Sequence, residues 1–421
     1  MRIIRSKALN AALLGSAIAV SMSLTVPAQA REYIIGMQCD RSGPTQNVGA
    51  YICNGTHDYI KLANKQGLFG KNTVRLFEID HGYDVPRGVE AYERTKQAGH
   101  ISYMLYGTPH TYALTPKLTD SKVPGTSPGF GSAAAANGKV YPYIFPIAAT
   151  YWSQAGASMK YVLDQWKKAG NSGKPKIAYI FYDNPAGREP LEVLHTIAKK
   201  EGVQFRDFAV PPPGVEMRPQ VLDIVRRYRA DWVIAHLFGR APAVAIKELA
   251  RLRFPLDHVL GFVWAGGESD INVAGWDLAE GYQALQFAGV GEHHKVVQDI
   301  IAMYKAEGKP KPEQMKQSVY YNRGIFNGAL HAKAIANAIA ANPGKVITGE
   351  DVKKGFESIK NFSLGGFLPP VTITPEDHEG GGYVQVWKVH DRKWTRASDW
   401  FRGYRDIVLE FVAKAKPPKT N

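Results

Sequence analysis

Apolar runs of strand length alternate with amphipathic segments along most of this chain, and that alternation constrains its fold more than any other feature. Residues 33–38 form the first run. Helical spacing follows over 50–66 and stops at Gly67. A second run covers 74–80. A helix is predicted over 86–98, with proline near its start and Gly99 just past its end. The spacing then predicts strands at 101–106, 176–182, 232–238, 259–263 and 282–287, and helices at 111–121, 186–201, 218–229 and 240–251. Parallel strands need a crossover long enough to hold a helix, so this pattern reads as α/β, with parallel sheets covered on both faces. Further on, Thr348-Gly-Glu-Asp351 has the form of a capping box with Asp in place of Glu, opening a helix to about Lys360. Residues 383–390 and 393–396 read as a terminal hairpin.

The N-terminus carries Arg2, Arg5 and Lys7, then a largely small and apolar run from Ala8 to Val26, then Pro27 and Ala28-Gln29-Ala30. Basic head, apolar core and small-residue exit predict a secretory signal peptide over residues 1–30. A membrane anchor is the alternative, and the run falls short of the ~20 residues a span needs. The first cysteine is Cys39, so none stands at the cut to carry a lipid. The expected product is a periplasmic protein that does not span the membrane. Its length and 45% hydrophobic content suit two lobes of roughly 200 residues each. The formal charge is +14, but lysine and arginine are scattered, which argues against a nucleic-acid-binding stripe. An anionic ligand and an incidentally basic surface both remain compatible with it.

The two cysteines, Cys39 and Cys53, fall at the end of the first predicted strand and early in the first predicted helix. In an oxidising compartment they are expected to form a bridge that pins the intervening loop, with two buried free thiols as the alternative.

In open parallel sheets, ligands bind beyond the carboxyl ends of the strands. That rule selects the loops after Gln38, Tyr106, Val123, Tyr182 and Phe238. They hold Ser42-Gly-Pro-Thr45, Gly107-Thr-Pro-His-Thr111, Ser127-Pro-Gly-Phe-Gly131, Asp183-Asn-Pro-Ala-Gly-Arg188 and Gly239-Arg240. Glycines, hydroxyls and helix N-termini there suit a polar pocket.

Two stretches imitate enzyme motifs. Gly125-Thr-Ser-Pro-Gly129 matches the serine-hydrolase elbow, but Pro128 follows the serine and has no N–H to offer an oxyanion. Gly129-Phe-Gly131-Ser-Ala-Ala134 matches a dinucleotide fingerprint, yet no Asp or Glu occurs between Gly131 and Asp164. The histidines and cysteines show no metal-ligand spacing. No cofactor, no metal and no catalytic residue are expected.

Beyond these patterns the chain resembles a known family. Ile34-Ile-Gly36, Ser42-Gly-Pro44, Ala63-Asn-Lys-Gln-Gly67, the stretch from Asp80 to Ala91, Ser127-Pro128 and Ala279-Glu-Gly-Tyr282 are similar, in order and spacing, to the periplasmic binding proteins of the leucine/isoleucine/valine type, receptors for ABC importers. The match covers essentially residues 31–390. Gly88 to Arg94, Tyr151-Trp-Ser-Gln154 and Tyr321-Asn-Arg-Gly324 resemble a subgroup that includes receptors for aromatic and other carboxylates.

The resemblance implies two Rossmann-like lobes joined by three crossovers. Residues 31–148 plus 288–368 would form the N-terminal lobe, and 149–287 plus 369–421 the other. A small-molecule ligand would lie between them, and a monomer would deliver it to an inner-membrane ABC permease. Carried over by position, Thr108, His110 and Thr111, with Ser42 nearby, would hold a ligand carboxylate together with the Gly129 and Gly131 backbone. Asn184, Arg188 and Phe238 would face it from the second lobe. Thr111 could instead be only a helix cap, and Arg188 only a solvated first-turn residue.

One departure matters. Amino-acid receptors of this family place an acid after the strand at 259–261 to hold the ligand ammonium, and here that position falls at Val263 or Trp264. Glu268 and Asp270 lie further on. Burying an ammonium without a counter-charge costs several kcal/mol. The expected ligand is therefore an aromatic or short-chain carboxylate, with Phe130, Tyr151, Trp152 and Trp264 as flat walls unless they are simply lobe core. An amino-acid receptor, and a periplasmic sensor that presents solute to a membrane kinase, are the alternatives.

Overall fold

The computed structural model describes residues 29–416. Residues 1–28, which carry nearly all of the expected signal peptide, lie outside the described residues. Among the described residues, no helix is long and apolar enough to cross a membrane.

Strands β1 (Glu32–Cys39), β2 (Thr73–Asp80), β3 (His100–Met104), β4 (Gly125–Thr126) and β5 (Ile144–Phe145) form one sheet in the order β2-β1-β3-β4-β5, all parallel. Strands β6 (Lys176–Tyr182), β7 (Gln204–Val210), β8 (Trp232–His236), β9 (Val259–Gly261), β10 (Gln283–Gln286), β11 (Gln385–His390) and β12 (Lys393–Arg396) form the second. Its order is β12-β11-β10-β9-β8-β6-β7, and its first five strands in sequence are mutually parallel. The terminal hairpin adds antiparallel to β10. The parallel part of each sheet thus has the same order. Each strand order reverses between its first and third strands, which opens a crevice at the carboxyl ends of β1 and β3 and of β6 and β8.

Helices α1 (Gln46–Lys65), α2 (Val85–Gln97) and α3 (Thr108–Ser121) cover the first sheet. Asp84 starts α2 by accepting the Arg87 N–H at 2.9 Å. Around the second sheet are α4 (Tyr151–Lys168), α5 (Pro185–Arg188), α6 (Leu191–Glu201), α7 (Arg218–Leu222), α8 (Ala241–Arg251) and α9 (Glu268–Ala274). The chain then returns to the first sheet with α10 (Lys295–Ala306), α11 (Ser318–Ala341) and α12 (Gly349–Glu357), and ends in α13 (Arg405–Ala413). The Thr348 capping box is formed, with Thr348 N–H donating to Asp351 at 2.8 Å.

The strongest helix contact runs between α1 and α11. Gly55 and Gly324 allow it: a Cβ on either would stand 2.0 or 1.9 Å from a backbone oxygen of the opposite helix. The Thr56 hydroxyl donates across to Gly324 O at 3.1 Å.

The chain crosses between the sheets after β5, after β10 and before β11. These connections are tied together. Gly289 N–H donates to Phe367 O at 2.8 Å, and Thr150 N–H to the Glu379 carboxylate at 2.8 Å.

Several elements differ from the sequence expectation. The helix expected over 186–201 breaks at Pro190 into α5 and α6. The segment expected as one helix over 218–229 is α7 followed by a π-type turn over Asp223–Tyr228. Strand β7 was not singled out, because its edge position leaves most of its side chains exposed or half-exposed.

Candidate functional site

The two crevices face one another, and a cavity begins where they meet. From the first lobe come Thr45, Tyr83, Tyr106, Gly107, Thr108, Pro128 and Phe130. From the second come Tyr151, Phe238 and Trp264. The remaining walls lie deeper, between β1 and β3 on one side and α1 and α11 on the other: Met37, Gln38, Met104, Leu105, Val48, Ile52, Cys53, Thr56 and Asn327. Toward solvent the cleft widens into a vestibule lined by Pro44, Asn47, Tyr51, Asn184, Pro213 and Val273 among others. Thr45, Tyr83 and Phe238 border both spaces.

Local chemistry explains each rim residue. Buried Asp40 follows β1 directly and accepts the N–H and hydroxyl of Thr45 at 2.8 and 2.6 Å, folding the loop so that Thr45 turns inward. Gly107 begins α3 with φ of 93°, and a Cβ there would stand 2.7 Å from the Tyr83 ring. Only glycine lets Tyr83 close over that helix start. Pro109 lacks an N–H, so Thr108 and His110 supply the free N–H groups at the positive end of α3. The carbonyl of Gly129 accepts from the Trp264 indole at 2.8 Å and the Gln154 amide at 3.1 Å, which fixes Trp264 as a wall.

No Asp, Glu, Lys or Arg side chain lines the cavity among the described residues. Burial drives the Tyr83, Tyr106 and Tyr151 hydroxyls well above their ordinary range, so they present protons. His236 packs its ring edge-on against Tyr151, with centroids 4.2 Å apart. Burial lowers its pKa to about 3, and it is neutral. The site is uncharged, apolar in its depth and rich in hydroxyls at its rim.

Of the residues singled out from sequence, Thr108, Phe130, Tyr151, Phe238 and Trp264 meet at this cavity. The others are placed elsewhere. Ser42 is exposed and donates to Asp80 at 2.7 Å. The His110 ring stacks on His81 at 4.2 Å, and its Nε2 bonds to Asp84 O. Thr111 returns its hydroxyl to Gly107 O at 3.1 Å, a bond internal to the helix. Gly129 and Gly131 spend their N–H groups on Ile147 O and the Thr108 hydroxyl. Trp152 turns away, donating to Glu189 O and packing on Phe411. Asn184 caps α5 and borders the vestibule. Arg188 is a surface partner of Asp183.

Neither Glu268 nor Asp270 lines the cavity, although Asp270 borders the vestibule. Glu268 accepts from Ser318 Oγ at 2.6 Å and from Val319 N–H, and Asp270 accepts from Tyr320 at 2.7 Å, so both are taken up by the start of α11. Sequence reasoning missed Tyr83, Tyr106 and Asn327. A tyrosine closing a strand run was a usable signal for Tyr106. Tyr83, held at φ of 60°, and Asn327 left none. Cys39 and Cys53 are bridged, and Cys53 is part of the cavity wall. The Ser127 hydroxyl of the hydrolase-like pattern is buried and bonds to nothing among the described residues.

Two parallel α/β lobes with a cavity at their paired switch points define a solute-binding protein rather than a single-lobed nucleotide fold. The chain belongs to the periplasmic binding protein family, whose profile matches residues 32–393. A structure from the Pseudomonas fluorescens group, described as an ABC transporter permease, is 29% identical with a TM-score of 0.82, and the match covers 93% of this chain and 99% of that one. A branched-chain amino acid ABC transporter protein from Thermus thermophilus with bound valine is 20% identical, TM-score 0.77, with 90% and 98% covered. A fatty acid ABC transporter substrate-binding protein from Thermomonospora curvata is 16% identical, TM-score 0.76, with 93% and 96% covered. No curated protein sequence is significantly similar to it.

Proposed function

We propose that this protein captures a small organic carboxylate, aromatic or short-chain, in the periplasm and presents it to an ABC permease without transforming it. The lobes would comprise residues 31–148 plus 288–368 and 149–287 plus 369–421. One observation carries the ligand class: the cavity has no acidic side chain to balance an α-ammonium, while the N-terminus of α3 and the hydroxyls of Tyr83, Thr108 and Tyr151 gather at its rim. Helix N-termini and neutral hydroxyls are the donors that suit a carboxylate without a fixed cation. The valine and fatty-acid receptors of the same fold bracket this choice: both named ligands are carboxylates, and they differ in the ammonium.

Thermal shift tests it. Benzoate or hexanoate is expected to raise Tm more than leucine does, and a larger rise with leucine overturns the reading. A sensor role in place of import would appear as co-purification with a membrane kinase rather than with a permease.

A further inference from the structure

The cavity does not end between the lobes. Beyond Thr108 and Tyr106 it runs into the first lobe itself, beneath α1, between Met37 and Met104 of the sheet and Ile52 and Thr56 of the helix. At its inner wall stands Asn327 of α11, 5% exposed. Its Oδ1 is engaged by the Thr126 hydroxyl at 3.0 Å. Its amide nitrogen has no hydrogen-bond partner among the described residues, yet it is absent from the enclosed, unsatisfied atoms, as expected of a group facing open space.

A buried chain of hydrogen bonds sets that orientation. Thr126 spends its proton on Asn327 Oδ1 and so accepts from His331 Nε2, which leaves Nδ1, 2.8 Å from Ser102 Oγ, as the acceptor end of the ring. Burial lowers the His331 pKa to about 3, so the ring is neutral and carries its proton on Nε2. Nε2–H donates to Thr126 Oγ1 at 2.8 Å, and Thr126 donates to Asn327 Oδ1. Both amide protons of Asn327 are left for the chamber.

We propose that the solute enters with its apolar end inside the first lobe, and that Asn327 selects an uncharged hydrogen-bond acceptor at that end. This rests on the carboxylate reading only for which end points outward. The ligand class is a slender, largely apolar acid with an ether, carbonyl or hydroxyl oxygen opposite its carboxylate. The two methionines suit such a guest, since unbranched, polarizable side chains reshape around different apolar groups.

Two nearly isosteric pairs test the proposal by calorimetry: 4-methoxybenzoate against 4-ethylbenzoate, and 5-oxohexanoate against hexanoate. The oxygen-bearing member is expected to bind about three- to tenfold more tightly, the range of one net hydrogen bond, and Asn327→Leu to erase the difference. In wild-type protein with methyl-labelled methionine, the Met37 and Met104 signals shift on binding and that of Met217, in the second lobe, does not. This second readout decides the matter if Asn327→Leu fails to fold. Equal affinities within each pair, or Met37 and Met104 signals unmoved at saturation, overturn the proposal and leave the carboxylate reading standing. If only the neutral pair, 4-methoxybenzyl alcohol and 4-ethylbenzyl alcohol, binds with an Asn327-dependent preference, the carboxylate reading falls and this one stands. Binding of none of the six overturns both.

Discussion

Glu189 and Ala133 join the two lobes: the Glu189 carboxylate, carried by the turn after α5, accepts the Ala133 N–H of the first lobe at 2.6 Å. Its second oxygen is enclosed without a partner, although the residue keeps part of its surface in solvent. Tyr112 lies beside the carboxylate, and a Cβ on Gly131 would stand 2.6 Å from that second oxygen. Burial raises the pKa of this carboxyl group to about 7, against the smaller lowering effects of Ala133 and Tyr112. The contact exists only when the lobes are together.

We predict that solute draws the two lobes together, and the Glu189–Ala133 contact then gives that closure a pH dependence. An acid whose pKa is raised on closing binds more protons in the closed form. Closure is therefore favoured as pH falls from about 7 toward the ordinary glutamate value near 4.5. Solute affinity should rise about tenfold from pH 8 to pH 5, discounted for the partial solvent contact. Asp270 titrates in the same range, its pKa raised by burial to about 7, so the comparison is with Glu189→Gln. That variant keeps an acceptor for Ala133 and should show a distinctly flatter profile. Parallel wild-type and variant curves would refute the assignment.

The Cys39–Cys53 bridge joins β1 to α1, the two walls of the inner chamber, across a separation of 14 residues. By the chain-entropy estimate, a loop of this size contributes about 3 kcal/mol. The double variant Cys39→Ser/Cys53→Ser should unfold at lower denaturant. Because Cys53 lines the cavity, it should also bind solute more weakly at temperatures where both proteins are fully folded. Loss of stability with unchanged affinity would confine the bridge to a structural role.

Most strands were legible because they are short apolar runs between helical patterns, and the crevice followed from the rule on strand ends; β4 and β5, two residues each, and the largely exposed edge strand β7 gave no such run. Thr108, Phe130 and Phe238 could be located that way because they lie at or just after the ends of strands, whereas Trp264 was reached through the family resemblance. Asn327 could not. Helix α11 is buried nearly all round its first half, so no polar face marks which of its side chains turns toward a cavity. His110, Thr111 and Ser42 carry the right chemistry in the right loops, but each is committed to a local bond, a contest that spacing does not reveal. Glu189 was hidden for another reason. Pro190 ends the short turn that the pattern ran into α6, and that break is what swings the carboxylate toward the first lobe.

The close crossing of α1 and α11 positions the inner chamber, so Gly324→Ala is a sensitive probe. The added methyl would meet Ile52 O at 1.9 Å, a backbone atom that cannot swing aside. Overpacking of this kind costs about 1–3 kcal/mol, and it should push Asn327, three residues on, away from α1. Chemical denaturation should show the loss, and solute affinity should fall with it. A variant as stable as wild type would mean that the helices slide apart freely.

Arg323 of α11 is fully buried against Trp264, Phe287 and Tyr320, with guanidinium-to-ring distances of 4.9, 4.8 and 5.3 Å. It bonds to Gln286 and leaves Nε and Nη1 unpartnered. Burial lowers its pKa to about 10 and raises those of Glu268 and Asp270, while Arg323 itself counters the rise in both acids. These three groups join the start of α11 to α9 across the second crossover. Arg323→Met removes the compensating cation and leaves two buried carboxyl groups, a change that typically costs about 3–5 kcal/mol. Without Arg323 the folded-state pKa values of both acids move further up, so the loss is largest above pH 7 and shrinks toward pH 5, where the acids take up protons. Adding Asp270→Asn should restore part of the stability at pH 8 and little at pH 5. Equal destabilisation at both pH values, with no rescue, would show that Arg323 acts through packing on Trp264 rather than through charge.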